Sequence, residues 1–287
     1  MIRYLKWAAK LLATGILLYW VFIQTDRQSL FKAISGSEKS ILFFAFVPYL
    51  VSRVSGAFRL TTILNAAEVP LSHASGLRLN WISMFYGMFL PGGLGGDAYK
   101  LIRLRALFPD KGVLLLTRTL LWDRLIGLVV LTILTVSFAM PYLLVIYQVV
   151  AASLALIGCL VFWLATRRWI PQLLPYMGRL LVFSLVVQLT QIACIFMLLS
   201  SIQIHEHYNQ YNVLFLVSSV ASTLPISVGG VGVREVVFLE GAQLLMVSAQ
   251  AAVTVSVLFD IIVTLTAATG SLAILGNARV VSTSASK

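Results

Sequence analysis

Apolar stretches of two lengths run along this chain. The longer ones cover residues 7–23, 40–64, 112–139, 142–165, 176–200 and 247–275. Two shorter ones, 77–90 and 213–224, fall below the roughly 20 residues that an α-helix needs to cross a bilayer. Each short stretch ends at a proline followed by glycines. Leu90-Pro91-Gly92-Gly93-Leu94-Gly95-Gly96 leads into Asp97, and Leu224-Pro225-Ile226-Ser227-Val228-Gly229-Gly230-Val231-Gly232 leads, after Val233, into Arg234 and Glu235.

This pattern predicts an all-α polytopic membrane protein, with about six spanning helices and two re-entrant broken segments. Proline removes a backbone donor and ends the first half-helix. Glycine then permits the positive-φ geometry of a sharp reversal. Lipid cannot satisfy the backbone groups freed there, so a break implies a cavity. Breaks at matching positions of two halves point to an inverted repeat inside a single integral membrane domain, residues 1–287. The first half-repeat covers about 40–139 and the second about 176–275. The two glycine turns are expected to approach each other near the midplane. The helices that follow, from Gly96 and Val233, then aim their N–H ends into the cavity, which favours an anion such as phosphate.

Composition agrees with a bilayer as solvent. Apolar residues make up 60% of the 287 and charged residues 11%, with mean hydropathy +0.95. A soluble domain carries roughly 25% charge. The net charge of +11 is no nucleic-acid signal, because the basic residues cluster beside apolar stretches. If both short stretches re-enter, 17 of the 21 Lys and Arg fall inside, and only Arg27, Lys32, Lys39 and Arg234 fall outside. That asymmetry sets both termini in the cytoplasm, of a bacterial inner membrane. Arg3, Lys6 and Lys10 precede a stretch without a small-x-small cleavage site, so it reads as a retained first helix. Residues 98–108 interleave leucines with basic residues, as in a helix lying on the cytoplasmic interface. Cys159 and Cys194 read as packing residues.

Charges inside apolar stretches are the candidates for function. Asp97 and Glu235 sit in first turns, where a carboxylate either caps its own helix or serves gating or cation coupling. Arg118, Asp123 and Arg124 open the helix at 112–139. Arg118 either snorkels to the headgroups or, with the other two, faces a cavity. Several arginines beside an aqueous cavity suit a phosphate-bearing substrate. Arg59, Arg103 and Arg105 read better as positive-inside decoration. Asp260, in the middle of the last helix, calls for a salt bridge to Arg124 or Arg234, or for proton coupling. Gln188 and Gln191 share a helix face, and either bond to a neighbouring helix or line the cavity. The substrate-binding set is therefore Gly92, Gly93, Gly95, Gly96, Asp97, Arg118, Asp123, Arg124, Gly229, Gly230, Gly232, Arg234 and Glu235, with Asp260 as the ion-coupling candidate. His205-Glu206-His207 lacks the His-x-x-x-His spacing of a zinc helix, and no nucleophile motif or phosphate-binding loop is present. No catalytic residue, metal or cofactor is expected.

Three motifs in order carry a family resemblance: Phe89 to Lys100 with its Pro-Gly-Gly-x-Gly-Gly-Asp core, Asp123-Arg124 with Gly127, and Pro225 to Glu235. Together they resemble the lysylphosphatidylglycerol synthase transmembrane region, the flippase-like module of bacterial aminoacyl-phospholipid resistance proteins. The resemblance covers essentially the whole chain and implies a lipid-translocating module. With the chain ending at Lys287, the soluble aminoacyl-transferase domain of bifunctional members is expected to be absent. Ser227-Val228 stands where many relatives carry a second proline, and Asp260 where a basic residue is more usual. The function expected is that of a flippase moving a phospholipid or a lipid-linked phosphate headgroup through a cavity between the two turns. The alternatives are a non-catalytic partner of a separate lipid synthase or glycosyltransferase, and a membrane-embedded lipid-phosphate transferase using Asp97 or Glu235 as base. Membrane lipids are the expected partners, with no nucleic acid.

Overall fold

A computed structural model describes residues 35–89, 95–223 and 232–275. Helices follow the apolar stretches. In chain order they are α1 (Lys39–Phe44), α2 (Phe46–Ala66), α3 (His73–Phe89), α4 (Gly95–Leu107), α5 (Val113–Ala139), α6 (Val145–Trp169), α7 (Met177–Ser201), α8 (Tyr208–Ser222), α9 (Val233–Leu244), α10 (Ala249–Ala268) and α11 (Gly270–Leu275). Among the described residues, five segments are long and apolar enough to cross a membrane: Lys39–Ala66, Val113–Tyr142, Val145–Trp169, Pro171–Ser201 and Ala249–Ile274. The chain is an all-α integral membrane protein. The span expected at 7–23 lies outside the described residues. The short stretches form α3 and α8, of 17 and 15 residues. Residues 90–94 and 224–231, with Gly92, Gly93, Gly229 and Gly230, lie outside the described residues, and so do the two reversals expected there.

Local sequence explains the connection between α5 and α6. Pro141 sits in a 3-10 turn, Met140–Tyr142, between α5 and α6. Gln148 donates its side-chain amide to the carbonyls of Met140 and Leu143, both at 3.0 Å. The Met140 carbonyl also accepts the Leu143 N–H at 3.2 Å, so backbone and side chain close the turn together.

The chain packs as two units, each discontinuous in sequence. The described residues of one are 51–86, 95–189 and 267–275; those of the other are 35–50, 87–89, 190–223 and 232–266. In the first, here the α4–α6 unit, the i, i+4 pairs Leu60/Leu64 of α2 and Leu116/Leu120 of α5 join Leu79 and Leu104 in one buried cluster. Ile63, Trp122, Ile126 and Leu180 form a second. Arg59 and Ile63, also four apart, share a stripe of α2 that this second cluster contacts. Lipid tails are as apolar as leucine, so close packing and interhelical hydrogen bonds hold such helices together. The Trp122 indole N–H donates to the Thr166 hydroxyl at 2.9 Å, tying α5 to α6. A Cβ on Gly76 would lie 1.9 Å from the Thr61 hydroxyl, so only glycine permits this approach of α3 to α2.

In the second, the α8–α10 unit, Ala251, Ala252, Val253, Thr254, Val255 and Ser256 of α10 are all buried. A helix apolar on every side is a core helix. Phe259 stands edge-on to Phe215 of α8 and Tyr49 of α2, with ring centroids 5.0 and 5.6 Å apart.

Candidate functional site

Each unit gathers its own cluster of charges, partly buried, and each cluster involves the first turn of the helix that follows a glycine motif. In the α4–α6 unit, Arg59 Nε donates to Asp123 Oδ1 at 2.8 Å and Arg59 Nη1 donates to the Ser184 hydroxyl at 2.9 Å. Arg59 and Asp123 are both buried. Gly127, one turn beyond Asp123, makes this possible: a Cβ there would lie 3.0 Å from Arg59 Nη1. Beside the pair, Arg124 Nε bonds Asp97 Oδ2, and Lys100 Nζ lies 3.8 Å from Asp97 Oδ1. Lys100 is buried, and burial draws its pKa below the usual lysine value of 10.5; Asp123 and Asp97 oppose that fall, while Arg124 and Arg59 add to it. Arg59, Lys100 and Arg124 thus face Asp97 and Asp123, an excess of one positive charge.

In the α8–α10 unit the cluster has the other sign. Arg234 Nε lies 3.1 Å from Asp260 Oδ1. The pair is close but poorly aligned: among the described residues, neither Arg234 Nε and Nη1 nor Asp260 Oδ2 makes a hydrogen bond. The guanidinium sits 4.6 Å from the Phe259 ring centroid and 5.6 Å from that of Phe215. Both distances lie within cation–π range. Glu235 Oε2 accepts the Gly232 N–H at 2.7 Å, and Oε1 accepts the Ser256 hydroxyl at 3.2 Å. Gly232 holds φ at +87°, a conformation that favours glycine. One arginine therefore faces two acidic side chains, Glu235 and Asp260, a formal excess of one acidic group.

The family model described as Lysylphosphatidylglycerol synthase TM region matches residues 7–270. The chain belongs to this family. Membership connects the membrane protein to lipid handling. No curated protein matches the chain.

Against the residues expected for this family member, the structure makes several distinctions. Asp97 joins Arg124, and Asp123 lies beside them on α5. Glu235 caps its own helix and also holds Ser256. Asp260 takes Arg234 rather than Arg124. Gly95 and Gly96 open α4, with Gly96 buried, and Arg118 is half-buried without an ion pair among the described residues. Arg59 corrects its reading as surface decoration, because it is buried and ion-paired. Its position between Phe58 and Leu60, together with Gly127 four residues after Asp123, was the available signal. Ser184 was missed altogether, since a serine in a membrane helix usually bonds its own backbone. It does so here, to the Leu180 carbonyl at 3.0 Å, while also accepting from Arg59. Gln188 and Gln191 are buried in α7.

Proposed function

We propose that this family member moves a phospholipid, or the headgroup of a lipid-linked phosphate, across the bilayer without chemical conversion. The observation that carries the reading is the excess positive charge at the first turn of α4, where Arg124 and the buried Lys100 share the single carboxylate of Asp97. Lys100 is buried, and a buried charge that is only partly compensated is relieved by a counter-ion. Arginine and a helix N-terminus both suit phosphate oxygens. The opposite cluster supports a coupling role: Asp260 or Glu235 takes up a proton or cation as the headgroup moves. The chain carries no phosphate-binding loop for ATP, so an ion gradient or lipid supply drives any uphill movement. We take the membrane to be the bacterial inner one with both termini cytoplasmic, as the basic asymmetry suggests.

The test is reconstitution of the full chain into vesicles carrying headgroup-labelled phospholipids and polyprenyl phosphates, with outer-leaflet exposure followed with and without a pH gradient. Headgroup-dependent acceleration over protein-free vesicles is expected, and its loss in Arg124→Gln. No acceleration for any lipid, from a folded wild-type protein, would overturn the reading in favour of an assembly partner for a separate synthase or glycosyltransferase.

A further inference from the structure

The hairpin of α5 and α6 carries all its charges at one end. Between Arg124 and Arg167 the sequence has none. At the charged end the rings of Trp122 and Trp169 meet with centroids 5.8 Å apart, which places Arg118, Asp123, Arg124, Arg167 and Arg168 together at that level. Most of these charges are already engaged. Asp123 holds Arg59, Arg124 holds Asp97, and Arg167 lies 5.6 Å from the ring centroid of Trp163. Arg118 and Arg168 have no ion pair among the described residues.

Between the two helices runs an apolar cavity of about 370 Å³. Leu125 and Leu128 of α5 and Gly158 and Phe162 of α6 line it, with Trp122 and Trp169 at its charged end. This volume lies within the roughly 300–1,000 Å³ usual for small-molecule sites. Gly158 marks where the protein leaves space, since a Cβ added there would meet no atom within 4 Å. Along its membrane stretch α6 is almost wholly unburied, so the cavity borders lipid. Arg118 precedes the lining residue Leu121 by three positions and Leu125 by seven, so it shares their stripe of α5. On α6, Arg168 follows the lining residue Ala165 by three.

We infer that the α5–α6 hairpin is a binding site for one anionic glycerophospholipid, with an acyl chain in the cavity and the phosphodiester at Arg118, flanked by Arg168. An acyl chain supplies the dispersion contacts that the wall lacks. The charges at one end fix which way the lipid lies. Arginine matches phosphate oxygens with a planar fork of donors, and indole rings sit well at the level of the headgroups. The site is independent of translocation and stands whether or not the protein moves lipid.

Native mass spectrometry of the delipidated full chain, titrated with phosphatidylglycerol or with phosphatidylcholine, tests the site. One phosphatidylglycerol is expected to bind here about tenfold more tightly than phosphatidylcholine, the equivalent of one charge-assisted contact. Gly158→Leu places its side chain in open space, so the protein should remain monodisperse while this one equivalent is lost. Arg118→Gln should bring phosphatidylglycerol down to the affinity of phosphatidylcholine. Arg124→Gln, chosen to stop translocation, should leave this equivalent in place. In the Arg124→Gln background, which weakens the separate anion site at Asp97, equal affinities for the two lipids, or a tight phosphatidylglycerol equivalent that survives Gly158→Leu, would overturn the site.

Discussion

The two charge clusters start from the same sequence device and end with opposite signs. Asp97 is the third residue of α4, and Glu235 is the third residue of α9. Both helices follow a Leu-Pro and glycine motif. Glutamate is one methylene longer and reaches back to the Gly232 N–H, so its charge is spent on its own helix end. Aspartate instead meets Arg124 of α5. The arginine beside Glu235 then takes a carboxylate from α10, whereas the carboxylate of α5 takes an arginine from α2. One unit is left with a spare positive charge and the other with a spare acidic group. A repeated sequence motif thus need not repeat the charge beside it, because the helices around it set the partners. Under the function proposed above, an anion belongs with the first cluster and a proton or cation with the second.

The strongest way to break this comparison is at Asp123. Asp123→Asn leaves the buried Arg59 without its counter-charge. Removing one member of a buried pair costs about 3–5 kcal/mol. Thermal unfolding in detergent should therefore show a large loss. The double variant Arg59→Met/Asp123→Leu should recover most of it, since apolar residues of similar volume replace a buried pair at little cost. A single variant as stable as the wild type would mean that Arg59 reaches water, and the count of charges in this cluster would be wrong.

A smaller effect separates Asp97 from Glu235. Glu235 is buried and accepts two hydrogen bonds. Glu235→Ala should cost about 1.5–3 kcal/mol, as expected for bonds to a charged group. Asp97 and Arg124 keep 26% and 46% of their side-chain surface exposed, so Asp97→Ala should cost less than about 1 kcal/mol, as exposed ion pairs do. Asp97→Ala also frees both cations, and binding of phosphatidylglycerol at this cluster should tighten while headgroup movement slows. Equal stability losses in the two variants would erase the distinction between a cap and an ion pair.

Much of this was legible before any coordinates. The lengths of the apolar stretches gave the spans, and the two short ones became α3 and α8 with ends within a few residues of the expected bounds. Asp123, Arg124 and Asp260 stood out because a charge inside an apolar run needs a partner. Which partner it takes was not legible. Arg59 and Asp123 lie 64 residues apart in sequence, and their meeting depends on how two helices cross. Helical periodicity says nothing about that crossing. Arg59 also falls in a stretch that holds Arg53 and Arg78, where a buried arginine and a decorating one have the same sequence context. Asp97 and Glu235 looked alike for a similar reason. A cap and an ion pair both begin with a carboxylate in the first turn, and only the neighbouring helix decides between them.

The gentlest test is a pH titration, and it concerns Lys100. Burial holds its pKa below the 10.5 of an ordinary lysine. Between that lowered value and 10.5 the folded protein has released a proton that the unfolded chain still holds. Stability therefore rises with pH across this window, because the unfolded state binds more protons. Affinity of the cluster for an anionic lipid moves the other way, since the spare positive charge disappears as Lys100 deprotonates. Arg124 stays charged throughout and keeps a residual affinity. Detergent unfolding and phosphatidylglycerol binding, both followed from neutral to alkaline pH, should thus show opposite slopes in the wild type. Both slopes should flatten in Lys100→Met. Parallel slopes, or slopes unchanged in Lys100→Met, would show that the spare charge of this cluster does not rest on Lys100.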